Sequence, residues 1–148
     1  MCRRRRRACE RRRGAAAVEF AIVAPIFFLM ILGMLELGRA VMVQQVITNA
    51  SREGARIAVL DGAQVTGTDA DPGVTDSVQR YLQNANIDPD SATITINPAS
   101  PGDAGYGDPV TVTVDIPFSE VSWLPVPRYL VGNKTLSAAT VMRRETVQ

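Results

Sequence analysis

The sequence predicts an α+β chain: a long N-terminal transmembrane helix that continues into a small domain with a second helix and a roughly three-stranded antiparallel sheet. Three observations lead there. Residues 15–35 form an apolar run of 21 residues in which Glu19 is the only charge. Residues 36–60 continue in helix-forming residues without a proline. Towards the C-terminus, apolar and polar residues alternate in separate stretches, the period of half-buried strands.

The chain begins with a basic leader. Residues 1–14 hold eight arginines against one glutamate, a net of +7, whereas the remaining residues are net −6. The overall charge of +1 therefore describes no real surface. The positive-inside rule predicts a single-pass membrane protein with the leader in the cytoplasm and everything after Arg39 outside the inner membrane. Cys2 and Cys9 both lie in the leader, so the outer part must fold without disulfides. Cys9 has no apolar run before it, which argues against a lipoprotein signal. No Ala-x-Ala site follows the apolar run, which argues against an ordinary cleaved signal peptide. The paired arginines lack the apolar residues expected directly after a twin-arginine signal.

As a helix at about 1.5 Å per residue, residues 15–35 span roughly 31 Å, close to the hydrocarbon core of a bilayer. The pattern predicts one helix from about Ala15 to Leu60, lipid-embedded first and amphipathic afterwards. Leu37, Val41, Gln44, Ile47, Ser51, Ala55 and Ala58 step by three or four along its second half, widened by Val43, Val46, Ala50 and Val59. Pro25 is expected to bend it, and Asp61-Gly62 to stop it. The organisation that follows is a cytoplasmic leader at 1–14, a transmembrane helix at 15–35, its extramembrane continuation at 36–62, and an outer α+β domain at 63–148.

Residues 63–72 read as a polar loop. A second helix is predicted from Gly73 or Val74 to Ala85, with Val74, Val78, Tyr81 and Leu82 on one face. Asn86 to Ser91 reads as a turn. Strands are expected at Thr93–Asn97, at Val110–Ile116 with its four apolar residues on one face, and from Lys134 to Arg143. Pro98 to Pro109 forms the loop between the first two. Such a sheet has one apolar face, which the two helices can cover.

Glu19 stands out, because an ionisable residue inside a membrane span is costly and marks function. It sits on the fifth position after Gly14, the glycine that joins the arginines to the apolar run. An ordinary signal anchor with one stray acid is the plainer reading of this arrangement. Two blocks carry a more specific one. The first is Gly14-Ala15-Ala16-Ala17-Val18-Glu19-Phe20-Ala21 with its apolar tail to Glu36-Leu37-Gly38-Arg39. The second is Thr48-Asn49-Ala50-Ser51-Arg52-Glu53-Gly54-Ala55-Arg56. Together, over about residues 11–58, they resemble the TadE-like family, the minor pilin-like proteins of tight-adherence (Flp) pilus systems.

The resemblance implies a pilin-like fold and a role in pilus assembly, secretion and cell adhesion, with no catalytic activity and no cofactor. It implies a prepilin peptidase that cuts between Gly14 and Ala15, with Glu19 and Phe20 completing the processing site. Glu19, Arg52, Glu53, Gly54 and Arg56 become the assembly candidates. Glu19 would meet the new ammonium of Ala15 on a neighbouring subunit, or on its own helix four residues away. The implied partners are membrane lipid, the prepilin peptidase, other pilin-like subunits and tight-adherence assembly proteins.

Other readings of these features are plainer. Arg52 to Arg56 is either a solvated helix face with an ion pair from Arg52 to Glu53, or a segment whose Gly54 and Ala55 let another element approach closely. The leader abuts the span and is confined to the membrane surface, so nucleic acid is not an expected partner. Asp69/Asp71 and Asp88/Asp90 lack the ligand series of a calcium loop and read as turn and cap chemistry, so no metal site is expected. Phe118, Val121, Trp123, Leu124, Val126, Pro127, Tyr129 and Leu130 form either core or a patch for a partner. With no histidine and no glycine-rich phosphate loop, an enzyme is not expected; a hydrolase using carboxylates alone is the weakest reading. The alternative to a pilin-like protein is an unprocessed membrane-anchored envelope domain that binds a carbohydrate or a protein.

Overall fold

The computed structural model describes residues 3–60, 63–68, 72–122 and 134–144, with side chains from Ala15 onward. The chain divides into two compact units, Met1–Gly38 and Arg39–Gln148. Helix α1 runs Arg3–Ala58 and contributes to both. It starts earlier than expected, within the arginine leader. Arginine and alanine are good helix formers, and neither proline nor glycine interrupts residues 3–13. It continues through Pro25. The proposed stop at Asp61-Gly62 lies outside the described residues.

In the first unit, apolar side chains face outward. Phe20 is 72 % exposed and Leu29 66 %, and the same holds for Ile22, Ile26, Phe27 and Leu35. By length and composition this helix is a candidate single-pass membrane anchor.

The second unit has a core. The order after α1 is helix α2 (Val74–Asn84), strand β1 (Thr93–Asn97), strand β2 (Pro109–Pro117), the single turn α3 (Phe118–Val121) and strand β3 (Thr135–Arg143). The sheet is antiparallel in the order β1-β2-β3. Ile94 faces Val114 in one register, and Val114 faces Ala138 in the next. The alternation of β2 works as the sequence predicts: Val110, Val112, Val114 and Ile116 are fully buried on one face. Ile94, Ile96, Leu136, Ala138 and Met142 flank them.

Both helices cover that face. From α1 come Val43, Ile47, Ala50, Ser51, Gly54, Ala55 and Ala58, and from α2 come Val74, Ser77, Val78 and Leu82. The stripe on α1 is rotated from the expected one. Val41 is exposed because residues at three- and four-residue steps from Val43 define the inner face, and Val41 lies roughly a third of a turn away from it. Leu37 is exposed because it belongs to the first unit, which has no such core. Tyr81 also departs from the expected face: it is partly exposed, while Ser77 is buried.

Small residues let the layers close. A Cβ built on Gly54 would lie 2.6 Å from Val78 Cγ2 and 3.2 Å from Val112 Cγ1. Three elements meet there, and only glycine fits. Polar groups fix the register of α1 on β3: Ser51 Oγ lies 2.8 Å from Thr140 Oγ1, and Gln44 Nε2 donates to the Ser137 carbonyl at 2.8 Å. The Arg39 guanidinium donates to the Val121 carbonyl.

The turns close by side-chain chemistry. Asp76 accepts from the Gly67 and Gly73 amides at 2.6 and 3.1 Å, so it fixes both the start of α2 and the preceding loop. Asn86, at φ 59°, ends that helix in the left-handed conformation asparagine tolerates. Asp88 accepts from the Asp90 amide at 3.1 Å and caps a short 3-10 turn at Pro89–Ser91.

Candidate functional site

Gly14, Ala15, Glu19 and Phe20 all lie within α1, in the first unit. Ala15, Glu19 and Phe20 are exposed. Ala15 and Glu19 are one helical turn apart and share a face.

The second set of candidates lies near the end of α1, in the second unit. Arg52 is exposed and projects away from the core. Arg56 donates to Glu53 at 3.2 Å across one turn, so Glu53 pairs with Arg56 and not with Arg52. Adjacent residues on a helix point about 100° apart, which removes the expected Arg52 pair. Gly54 and Ala55 are buried. The elements that approach Gly54 closely are α2 and β2 of the same chain.

Glu53, Arg56 and Ile57 form one wall of a groove. The opposite wall comes from α2: Ser77, Arg80, Tyr81 and Asn84 recur at helical spacing and face it. The cavity measures about 500 Å³. Ile57 and Tyr81 supply apolar lining, and Glu53, Arg56 and Arg80 bring one negative and two positive charges. Among the described residues Arg80 makes no ion pair.

A second prominent surface is the loop between β1 and β2. Arg144, just past β3, donates to the carbonyls of Pro101, Gly102 and Ala104. Its own backbone donates to the Asp108 carbonyl at 3.0 Å, and its carbonyl accepts from Gly107 at 3.0 Å. Asp108 Oδ2 accepts from the Gly105 amide at 2.8 Å. Gly107 takes φ +79°, which a side chain would resist. The loop is thus tied at both ends, and Tyr106 stands at its tip, 79 % exposed.

The apolar, outward-facing helix followed by the Ser51-to-Arg56 segment packed on α2 and β2 is the arrangement that a comparison with known families can test. Residues 14–56 match the TadE-like protein family model. The TadE-like segment starts at the glycine that follows the arginines and ends at the arginine of the groove. It lies wholly within α1. Together with the apolar helix, it fits a membrane-anchored pilin-like protein. No curated protein and no solved structure matches the chain.

Beyond the TadE-like segment, sequence reasoning missed Arg80, Asn84, Tyr106 and Arg144. Arg80 and Asn84 share a helix face with Ser77 and Tyr81, which was a usable signal once α2 was predicted. Nothing local marks Arg144, whose partners lie some forty residues earlier. Of the apolar segment at 118–130, Val121 is buried and Phe118 packs against the core. Trp123, Leu124, Val126, Pro127, Tyr129 and Leu130 lie outside the described residues, as do Asp69 and Asp71.

Proposed function

We propose that this chain is a minor pilin-like component of tight-adherence pilus assembly, cut after Gly14 and held in the bacterial inner membrane by its apolar helix. One observation carries the reading. The family match begins at Gly14, directly after the last leader arginine, and continues into a helix whose apolar side chains face outward. Such a surface is stable in lipid and costly in water.

In this reading residues 1–14 are a cytoplasmic leader that the prepilin peptidase removes, because glycine lets the chain enter a tight active site without a side-chain clash. Residues 15–35 span the bilayer, 36–62 extend beyond it, and 63–148 complete the outer domain. Cleavage leaves an ammonium on Ala15. In lipid, that ammonium and the Glu19 carboxylate of a neighbouring subunit attract more strongly than in water, although desolvation cancels part of the gain. Their pairing sets the register between helices that apolar contact alone leaves free. Arg52, Glu53 and Arg56 face other subunits, and the close packing at Gly54 fixes their direction. No catalytic step is assigned to the chain.

The intact mass of the mature protein tests this. In cells with an active prepilin peptidase it should begin at Ala15, and Gly14→Val should keep the full-length precursor. A mature protein that still begins at Met1 would overturn the reading. Glu19→Leu should be cut and inserted normally while crosslinking to pilin-like partners falls; crosslinking at normal yield would remove the role given to Glu19.

A further inference from the structure

We infer that the groove at Arg56 and Arg80 receives the Tyr106 loop of a second copy of this chain. The loop has the properties of a knob. Tyr106 is 79 % exposed, and the exposure does not come from a slack segment: Arg144 and Asp108 hold the backbone on both sides. A pre-ordered loop loses little conformational freedom on docking. Tyrosine in such a position is a frequent energetic anchor of interfaces, and the Asp103 and Asp108 carboxylates on either side of it outnumber the one guanidinium, Arg144, bound to the loop backbone.

The groove has the complementary properties. It offers Tyr81 and Ile57 as aromatic and aliphatic lining, with Arg56, Arg80 and the Asn84 amide; its one carboxylate, Glu53, is paired with Arg56. Arginine and tyrosine are the other residue types that dominate interface hot spots.

Charge decides which occupant fits. Residues 39–148 carry twelve acidic and eight basic residues, a net of −4. Two copies therefore repel over most of their surface. Contact is favoured only where an acidic element meets one of the few basic places, and the groove is such a place, net +1 because Arg80 is added to the Arg56–Glu53 pair. Exposed ion pairs alone are worth little. The aromatic ring supplies most of the affinity, and the carboxylates and guanidiniums supply the orientation.

The inference deepens the assembly reading of Glu53 and Arg56 and can fail separately from it. An uncut N-terminus would leave this contact testable in micelles, and loss of this contact would leave cleavage unaffected. The test uses the full chain in dilute detergent micelles, with Cys2 and Cys9 replaced by serine. One chain carries Gly105→Cys, which leaves Tyr106 in place, and the other Asn84→Cys. All five test positions, Tyr106 included, are exposed, and the thermal midpoint of each variant checks that folding is preserved. Under mild oxidation the mixture should give a disulfide-linked dimer at a yield well above that of either chain alone. Adding Arg80→Glu to the Asn84→Cys chain should lower the yield, and adding Asp103→Arg to the Gly105→Cys chain should restore it. With native cysteines absent and no label, Tyr106→Ser should weaken self-association by about tenfold or more, the loss expected of an anchoring residue. A mixture that crosslinks no better than its single components overturns the inference, and that is also the result if the groove belongs to a different acidic partner. Failure of the charge swap to restore the crosslink overturns it as well.

Discussion

Residues 15–35 and 43–58 belong to the same helix, yet they dispose of apolar surface in different ways. In the first stretch the large side chains face outward all around the helix, and a Cβ added at Gly33 would meet nothing within 4 Å among the described residues. In the second, the inner face is built from smaller residues, and a Cβ at Gly54 would press into Val78 and Val112. The same residue type is thus spare room in one stretch and a fitted contact in the other. The difference is the one expected if the first stretch is a membrane anchor. Lipid is fluid and accepts any apolar shape, whereas a protein core is close-packed and punishes a misplaced methyl group. Large Phe, Leu and Met side chains suit the first environment, and the Ala, Ser and Gly of residues 50–58 suit the second.

Charge insertion should separate the stretches most strongly. Ile47→Asp or Val112→Asp puts an unpaired carboxylate into a fully buried site, and should cost several kcal/mol and unfold the second unit. Leu29→Asp should leave the thermal midpoint of that unit unchanged and instead reduce membrane retention. Calorimetry of the detergent-solubilised variants reads the first effect, and fractionation reads the second. A Val112→Asp protein of unchanged stability would refute the orientation of β2.

Steric insertion comes next. Gly54→Val should destabilise by about 1–3 kcal/mol, since the overpacking penalty exceeds what a better helix former returns. Gly33→Val should be neutral for the same transition. Equal effects at the two glycines would erase the contrast between the stretches.

A smaller effect is expected at the polar contact between α1 and the sheet. Ser51→Ala removes a partner of Thr140 Oγ1 in a buried setting and should cost about 1 kcal/mol by denaturant titration. Smallest is Arg56→Ala. Its pair with Glu53 is exposed, so stability should change by less than about 0.5 kcal/mol. A larger loss would mean that Arg56 supports the fold rather than a surface.

Much of this was legible in the sequence, for identifiable reasons. Strong periodicity located the elements: the apolar run gave α1, and the alternation in residues 110–116 gave β2 with its buried face. The strand limits at Thr93–Asn97 were read directly, because alternation there ends at a proline. The rotation of the α1 stripe was not legible, since Val41 is as apolar as Val43. Only the position of the sheet decides which of them is covered. The start of α1 was also missed, because a run of arginines reads as an address before it reads as a helix. At the site, the processing motif and Arg52-Glu53-Gly54-Ala55-Arg56 were visible as local strings. The groove was not, because its walls are some twenty-five residues apart and meet only through packing of α1 on α2. The hold of Arg144 on residues 101–104 is longer-range still.

The central claim is that one helix passes from lipid into a protein core, and aqueous accessibility along it tests this most directly. Single cysteines at Leu29 and Gln45, in a chain with Cys2 and Cys9 replaced by serine, are treated in intact spheroplasts with a membrane-impermeant maleimide. Gln45 is exposed in the second unit and should be labelled from the outer side, while Leu29→Cys stays unlabelled until detergent is added. Labelling of Leu29→Cys at the rate of Gln45→Cys in intact spheroplasts would contradict the account.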